Sequence, residues 1–432
     1  MKNFTRAWLC LLVSFFSLSL AYGQQQMVFN SIQEKAAIAN QLTEVNPFQE
    51  SSFKSSNPAA IPATLTEAKT LSFEPKILDA VLRNNPAVFE LSVPSPYGTL
   101  QLLLEPAELF ASGFTVNSSD GVKDHDIKLG QFYRGVVKGD DNSLVSLSFI
   151  NGEVQGMIAT QDANLTLGKL KQEKSAQPVY IIYNEKQVET SFPNFCSTQD
   201  LPNQKLKIEP VPQGQKSLSN CVTVYFELDY DVFQNKGSVT AATNYIAAVF
   251  NEVATLYANE SINVKISEVF VWNTSSPYSG TSSTTNLNQF RSTRPNFNGD
   301  IGHLIDLRPN NGGIAYVDVI CNSNYNYAYS GIYSYYSNVP TYSWTVEVIT
   351  HEIGHNLGSP HTHSCSWPGG PIDNCYQPDG VCTPGPAPQN GGTIMSYCHL
   401  TSHGINFNNG FGPLPGDLIR NRVSNASCLD VC

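Results

Sequence analysis

The chain has 432 residues, a formal net charge of −11 and only 14% charged residues. This length leaves room for two or three domains. The acidic balance argues against a nucleic-acid partner, because a protein that binds nucleic acid is expected to present a basic face. Uncharged polar residues and glycine take the place of charges, which fits an extracellular protein but selects no substrate.

The first 23 residues have the pattern of a secretory signal peptide. Lys2 and Arg6 give a positive start, residues 8–20 are apolar, and Ala21-Tyr22-Gly23 places small residues at the cleavage positions. No later segment approaches 18 continuous apolar residues, so we expect no membrane span. The sequence predicts a secreted, soluble protein.

Residues 24–215 are predicted to form a separate, mostly β domain that ends in a linker. Residues 99–104 and 143–150 alternate between apolar and polar with a period of two, which is typical of half-buried strands. Between residues 201 and 217 the composition shifts to Pro, Gln and Lys with little hydrophobic pattern. We expect proteolytic trimming in this linker.

Residues 216–432 show a mixed pattern of helices and strands. The predicted elements are strands at 221–228, 262–272, 303–307 and 314–320, and helices at 238–257, 284–290, 343–358 and 418–423. The Tyr-rich run at 325–336 is strand-like at its end. From the end of the third helix to residue 389, Pro and Gly predict irregular structure held by cysteines.

An eleven-residue motif, H-E-x-x-H-x-x-G-x-x-H, runs from His351 to His361. On a helix, His351 and His355 point from one face, one turn apart, while Glu352 is rotated off that face. Gly358 can adopt a positive φ, so it suits the point where the helix ends and the chain reverses. That reversal would bring His361 round as a third ligand for a metal ion.

Three protein ligands leave a fourth tetrahedral position for water, which distinguishes a catalytic zinc site from a closed structural one. The alternative is an amphipathic helix that carries solvated histidines. Six of the eight histidines of the chain fall between His351 and His403, and this clustering disfavours that alternative.

Together with three further segments, this motif resembles the metzincin clan of zinc endopeptidases, in its adamalysin (reprolysin, M12B-like) branch, as a secreted bacterial-type form with a propeptide. Residues 392–398 (Gly-Thr-Ile-Met-Ser-Tyr-Cys) look like the Met-turn of the clan. Residues 313–317, followed by Cys321, are similar to the edge strand that pairs with extended substrate in that branch. Residues 133–156 resemble the reprolysin propeptide.

The resemblance implies an α+β fold. Its catalytic domain, at 216–432, would have a twisted, mostly parallel sheet with an antiparallel edge strand, an active-site helix and a Met-turn. A mostly β propeptide domain at 24–215 would precede it, after a signal peptide at 1–23. The implied partner is a protein or peptide substrate in an extended conformation.

The resemblance also implies one catalytic zinc ion, bound by His351, His355 and His361. Zinc would polarise the scissile carbonyl and lower the pKa of its bound water, with Glu352 accepting the proton and delivering it to the leaving amine. Tyr397 would help to stabilise the tetrahedral intermediate; an ordinary structural tyrosine is the alternative. Met395 would form a hydrophobic floor beneath the histidines.

The cysteine count predicts four disulfides and one odd thiol. Cys10 leaves with the signal peptide, and eight cysteines from residue 221 onward are an even number in an exported chain. Cys196, near the end of the implied propeptide, would act by resemblance as a cysteine switch, its thiolate bound to zinc in the zymogen. A disulfide or a buried thiol is the alternative.

Two disulfides can be suggested individually. Cys375 and Cys382 are close in sequence and are predicted to pair within the loop after the motif helix. By resemblance, Cys321 is expected to pair with Cys428.

Several alternatives remain open at the level of the sequence. Thr362 follows the third histidine where typical adamalysins carry Asp, so an astacin-like or matrixin-like metzincin is one alternative. A catalytically silent, zinc-binding adhesive module is another. His363 is a rival third ligand with a different spacing. Calcium is left uncommitted, and His399 and His403 are interpreted as solvated loop residues.

Overall fold

The computed structural model describes residues 26–39, 41–51, 65–170, 178–187, 196–200, 205–208, 219–334 and 343–432. The predicted signal peptide and most of the predicted linker lie outside the described residues. The chain has a mixed α/β architecture with two separate sheets, which confirms the predicted mixed class. Among the described residues, no helix combines the length and apolar character that crossing a membrane requires.

The N-terminal region is built mainly of strands. In chain order they are β1 (Thr43–Val45), β2 (Phe48–Glu50), β3 (Ala68–Phe73), β4 (Phe89–Ser95), β5 (Gly98–Pro106), β6 (Phe110–Ser118), β7 (Gln131–Val137), β8 (Leu144–Ile150), β9 (Glu153–Ala159), β10 (Asn164–Lys169) and β11 (Tyr180–Asn184). Ten of them form one sheet in the order β1-β4-β5-β7-β8-β9-β10-β11-β3-β2.

This ten-stranded sheet is buried on both faces in its middle strands. Along β5, Leu102 and Leu104 enter a core formed within the N-terminal region, whereas Leu103 enters a core shared with the C-terminal region. Successive side chains of a strand point to opposite faces, so the sheet separates two apolar layers. The predicted strands at 99–104 and 143–150 correspond to β5 and β8.

The second sheet contains the C-terminal strands. They are β12 (Cys221–Leu228), β13 (Asn263–Val271), β14 (Ile301–Asp306), β15 (Gly313–Ala315) and β16 (Tyr327–Gly331). The order is β15-β16-β14-β12-β13-β6, so a strand of the N-terminal region occupies one edge. The short strand β15 occupies the other edge and is antiparallel to β16, while the remaining pairs are parallel.

The helices are α1 (Met27–Ile38), α2 (Asp79–Asn84), α3 (Tyr230–Lys236), α4 (Val239–Asn259), α5 (Ser283–Thr293), α6 (Ser343–Asn356) and α7 (Pro413–Asn425). Helix α4 begins after Ser238, whose hydroxyl accepts a hydrogen bond from the Ala241 amide, as an N-cap does. The predicted helices at 238–257 and 343–358 correspond to α4 and α6. Helices α1, α2 and α3 were not predicted.

Two predicted strands differ from the structure for physical reasons. The prediction at 314–320 ends early, because the chain leaves the sheet and the amides of Asp318 and Val319 donate to the carbonyls of His355 and Asn356 at the end of α6. These bonds satisfy helix carbonyls that lack a partner within the helix. In the Tyr-rich run, β16 lies at the start rather than at the end, and residues 335–342 lie outside the described residues.

Four disulfides join the eight predicted cysteines. They are Cys221–Cys432, Cys321–Cys428, Cys365–Cys382 and Cys375–Cys398. The expected Cys321–Cys428 pair is confirmed. The Cys375–Cys382 prediction is wrong, because the loop after α6 folds back and places Cys375 beside Cys398.

A buried carboxylate organises one end of the second sheet. Glu227 on β12 is fully buried and accepts hydrogen bonds from the side chains of Tyr225, Trp272, Tyr278 and Arg294. Four donors around two carboxylate oxygens satisfy the buried charge, which would otherwise be costly.

We predict that Glu227→Gln lowers the free energy of unfolding by about 3–5 kcal/mol, because it leaves the buried Arg294 contact without its counter-charge and turns one acceptor into a donor that faces donors. Urea unfolding of the intact chain measures this change. Glu108→Gln is the control, since Glu108 is 85% exposed beside Lys265, and should change stability by less than about 1 kcal/mol. Equal changes in the free energy of unfolding for the two substitutions would refute the stabilising role assigned to Glu227.

Candidate active site

The end of helix α6 brings the motif histidines together. His351 and His355 lie on one face of α6, with ring centroids 4.6 Å apart, and both are fully buried. Gly358 has a φ of +108°, and the amides of Gly358 and Ser359 donate to the carbonyls of His355 and Gly354. This turn reverses the chain as predicted and places the His361 ring 4.5 Å from that of His355.

Each histidine ring is held through its Nδ1 atom. Nδ1 of His351 donates to the Ile394 carbonyl at 2.8 Å, and Nδ1 of His355 donates to the Ser359 carbonyl at 2.7 Å. Nδ1 of His361 lies 3.1 Å from the Asp200 carboxylate. Because carbonyl and carboxylate oxygens accept, the Nδ1 atoms carry the hydrogens and the Nε2 atoms are left with lone pairs.

The Nε2 lone pairs point toward a common position. Nε2 of His355 lies 3.2 Å from Nε2 of His361, and burial lowers the pKa of both rings to about 3. Neither ring is therefore protonated at neutral pH, and two facing lone pairs at this distance repel each other. A cation between them removes the repulsion. Three neutral imidazoles are a donor set that fits zinc.

Cys196 completes the cluster from a distant part of the chain. Its Sγ lies 3.5 Å from Nε2 of His355, and the four ligand atoms of Cys196, His351, His355 and His361 lie within 4.8 Å of one another. Cys196 is a free cysteine, so it forms none of the disulfides. The fold thus brings the three motif histidines and the odd cysteine together.

Cys196 belongs to a short stretch, residues 196–200, that lies along β15 and that we call the cleft segment. Cys196 forms a parallel bridge with Gly313, and the Ser197 amide donates to the Gly313 carbonyl at 2.9 Å. The Thr198 hydroxyl accepts from the Ala315 amide at 2.9 Å. The cleft segment thus occupies the backbone groups that an edge strand offers to another strand.

Asp200, at the end of the cleft segment, is the site residue that the sequence did not reveal. Its carboxylate accepts from both the backbone amide and Nδ1 of His361, each at 3.1 Å. The contact joins residues 161 positions apart. No sequence pattern relates positions so far apart, so the contact between Asp200 and His361 becomes visible only in the folded structure.

Glu352 is fully buried beside the cleft segment. One of its oxygens lies 3.4 Å from the Thr198 hydroxyl, and burial raises the pKa of the carboxyl well above its usual range. A carboxyl with a raised pKa is a stronger base when ionised. Gly313 on β15 packs directly against it, since a Cβ at Gly313 would lie 2.1 Å from the Glu352 Oε1.

The segment predicted as a Met-turn lies beneath and beside the histidines. Met395 is fully buried and packs against Gly354 between the two helical histidines. The Tyr397 ring lies 4.8 Å from that of His361, and its hydroxyl donates to the Cys196 carbonyl at 2.8 Å. Tyr397 therefore contacts the cleft segment. The catalytic part predicted for Tyr397 stays a prediction.

Three further histidines follow the motif in the sequence. His363, the rival ligand, stacks on His361 at 4.8 Å and belongs to a different group of candidate ligands, with Asp200 and His361. The solvated interpretation of His399 is wrong, because its side chain is only 4% exposed and its Nδ1 lies 3.3 Å from a Glu347 oxygen. His403 is partly exposed.

The fold and this ligand cluster indicate a zinc metallopeptidase. Residues 218–407 match the reprolysin model of metallo-peptidase family M12. This match supports a metzincin-like peptidase, and the protein is a zinc metalloendopeptidase. Among solved structures, a metalloproteinase-II from Bacteroides fragilis is similar, with 13% identity and a TM-score of 0.34, over 66% of this chain and 85% of that chain.

We predict that the metal-free protein loses stability as the pH falls from about 6.5 toward 3. In this range the histidines of the unfolded chain bind protons, whereas His355 and His361 of the folded chain stay neutral. Protonation therefore stabilises the unfolded state relative to the folded state. At pH 5 each ring should cost about 2 kcal/mol relative to pH 7. Urea unfolding of protein treated with a chelator, at pH 7 and at pH 5, measures the loss of stability. His361→Gln should remove about half of the loss that is due to His355 and His361 together. A pH-independent stability would contradict this account.

Proposed function

We propose that this zinc peptidase is exported as a zymogen in which the cleft segment blocks its active site. The observation that carries the proposal is the position of Cys196, whose Sγ shares one ligand cluster with three histidines more than 150 residues away. A thiolate is a good zinc ligand and would fill the position that water needs. Four disulfides support an oxidising, extracellular location, as does the signal-peptide pattern at 1–23.

His351, His355 and His361 would hold the zinc ion, with their Nδ1 hydrogen bonds fixing the tautomer that leaves Nε2 to the metal. Zinc bound in this way supplies Lewis acidity toward a carbonyl and makes a coordinated water more acidic. Glu352, one residue along α6 from the first ligand, takes a proton from the attacking water as general base. It then returns the proton to the leaving amine.

Strand β15 would hold the substrate in an extended conformation. The cleft segment already uses Gly313 and Ala315 of β15 for backbone pairing, and Tyr397 contacts its first carbonyl. A peptide substrate that takes the same place would meet the same groups. The Tyr397 hydroxyl would then donate to the oxyanion of the intermediate instead of to the Cys196 carbonyl.

The proposal treats residues 24–215 as the propeptide and 216–432 as the catalytic domain. The reprolysin branch is favoured over an astacin-like or matrixin-like one by the family match. A silent adhesive module has no support, since the chain is a metalloendopeptidase and Glu352 lies buried beside the ligand cluster.

We predict that Cys196→Ala gives the unprocessed chain measurable peptidase activity, because the vacant position can then admit water. Hydrolysis of a quenched-fluorescence peptide library by unprocessed parent and variant measures it. Adding Glu352→Gln to the variant should abolish the activity while zinc content, measured by mass spectrometry, stays near one ion per chain. If Cys196→Ala were as silent as its parent, the switch would be disproved; activity that survived Glu352→Gln would disprove the assigned base.

We predict that Gly313→Ala lowers kcat about 100-fold without loss of zinc. The new Cβ would lie 2.1 Å from Oε1 of Glu352 and 2.6 Å from its carboxyl carbon, so the base must move away from the reacting water. Gly380→Ala is the matched control, because its Cβ would meet nothing nearer than Cys365 Sγ at 3.3 Å. Both variants are compared in the Cys196→Ala background. An unchanged kcat for Gly313→Ala would show that Glu352 does not act from this position.

A further inference from the structure

We call the described residues between 26 and 187 the N-terminal module, and the described residues between 219 and 432 the catalytic region. The module adds a strand to the second sheet, which otherwise belongs to the catalytic region. Strand β6 of the module pairs in parallel with β13. The Ile266 amide donates to the Leu109 carbonyl at 2.7 Å, and the Ser119 amide donates to the Val271 carbonyl at 3.1 Å. An uncovered sheet edge exposes a row of unpaired backbone groups. The module therefore covers an edge that β13 would otherwise expose.

The module also covers one side of helix α4, whose other side packs on the catalytic sheet. The fully buried Asn251 side chain donates to the carbonyls of Tyr133 and Leu147 and to the Ser148 hydroxyl. Apolar side chains of the two parts form a single core. Its members include Leu103, Phe132, Val136 and Met157 from the module and Ile246, Phe250, Val253 and Ile266 from the catalytic region.

A third contact joins the module to the chain that follows the segment predicted as a Met-turn. The Asn164 side chain donates to the Ile405 carbonyl at 2.8 Å and accepts from the Phe407 amide at 3.2 Å. The Asn406 side chain donates to the Gln161 carbonyl at 3.0 Å. The module is thus held at three separate places, by buried apolar packing, by strand pairing and by hydrogen bonds from asparagine side chains, as one part of a folded domain holds another.

The cleft segment is attached differently. Most of its contacts are with groups of the active site, namely β15, Glu352, His355, His361 and Tyr397. One further hydrogen bond joins the hydroxyls of Ser197 and of Ser283 on α5. In sequence it stands between the module and the catalytic region, joined to the first by residues 188–195 and to the second by residues 201–218. A single cut in the predicted linker would therefore leave the cleft segment covalently attached to the module.

We propose that the module remains bound as a non-covalent subunit after the linker is cut, and that activation needs a second cut between the module and the cleft segment. The proposal rests on the proposed zymogen function. Its physical reason is that a bound module tethers the cleft segment by only eight residues. A short tether gives an effective concentration of about 1 mM, so the segment would outcompete substrate present at lower concentration.

Recognition sequences for a site-specific protease, placed within 188–195, within 209–218 or at both, test this in the full-length, zinc-loaded chain. After the linker cut alone, the two fragments should co-elute in gel filtration at micromolar concentration. Peptidase activity should stay below about 1% of that of the doubly cut protein. After both cuts, the module should still co-elute with the catalytic region while the cleft peptide is lost and activity appears.

Amide hydrogen exchange gives a readout that does not depend on activity. The β13 amides that pair with β6 should stay protected in both cut forms, and a chain without inserted sites, treated with the same protease, is the control. Separation of the module after either cut, or loss of β13 protection, would overturn the proposed subunit. Full activity after the linker cut alone would overturn the second cut. Fragments that co-elute but show no Glu352-dependent hydrolysis after both cuts would instead refute the zymogen function on which the inference rests.

Discussion

The site depends on one constraint, which is that each of three buried imidazoles must present the same nitrogen to the same point. The constraint is met by three different acceptors: the Ile394 carbonyl, the Ser359 carbonyl and the Asp200 carboxylate. Two are backbone groups close to the histidines and are fixed by the fold of the catalytic region. The third comes from the cleft segment. The segment proposed to block the site therefore also helps to orient one of its ligands.

This division gives the cleft segment two opposite effects on the site. Cys196 contacts His355, Ser197 and Thr198 bond to β15, and Asp200 orients His361. In the proposed zymogen these contacts would block the metal and the substrate edge while they hold one ligand in place. Loss of the segment would open the site and at the same time leave Nδ1 of His361 to another acceptor. A carboxylate at this nitrogen makes the imidazole a more basic ligand. If the chain is a zymogen as proposed, the uncut form should therefore orient His361 more tightly than the form that has lost the cleft segment.

What the sequence predicted well was local. The spacing of His351, Glu352 and His355 is a property of one helix, and the positive φ of Gly358 follows from the absence of a Cβ. The strand at Cys221–Leu228 and the capped helix after Ser238 were likewise encoded in short windows. The contacts of Asp200, the Cys375–Cys398 disulfide and the burial of His399 join distant segments, and no periodicity of two or 3.6 residues carries that information.

The placement of β6 shows most clearly that local pattern does not reveal how two parts of a chain pack together. Nothing in the sequence of Phe110–Ser118 distinguishes a strand that pairs within its own sheet from one that pairs with the next sheet. The choice is made by β13, whose edge needs a cover, and by α4, in which every residue from Ala242 to Tyr257 is buried. A helix that is buried on all sides needs packing partners on all sides. The catalytic sheet and the N-terminal module therefore share one core, and the sequence boundary at 215 divides the chain without dividing that core.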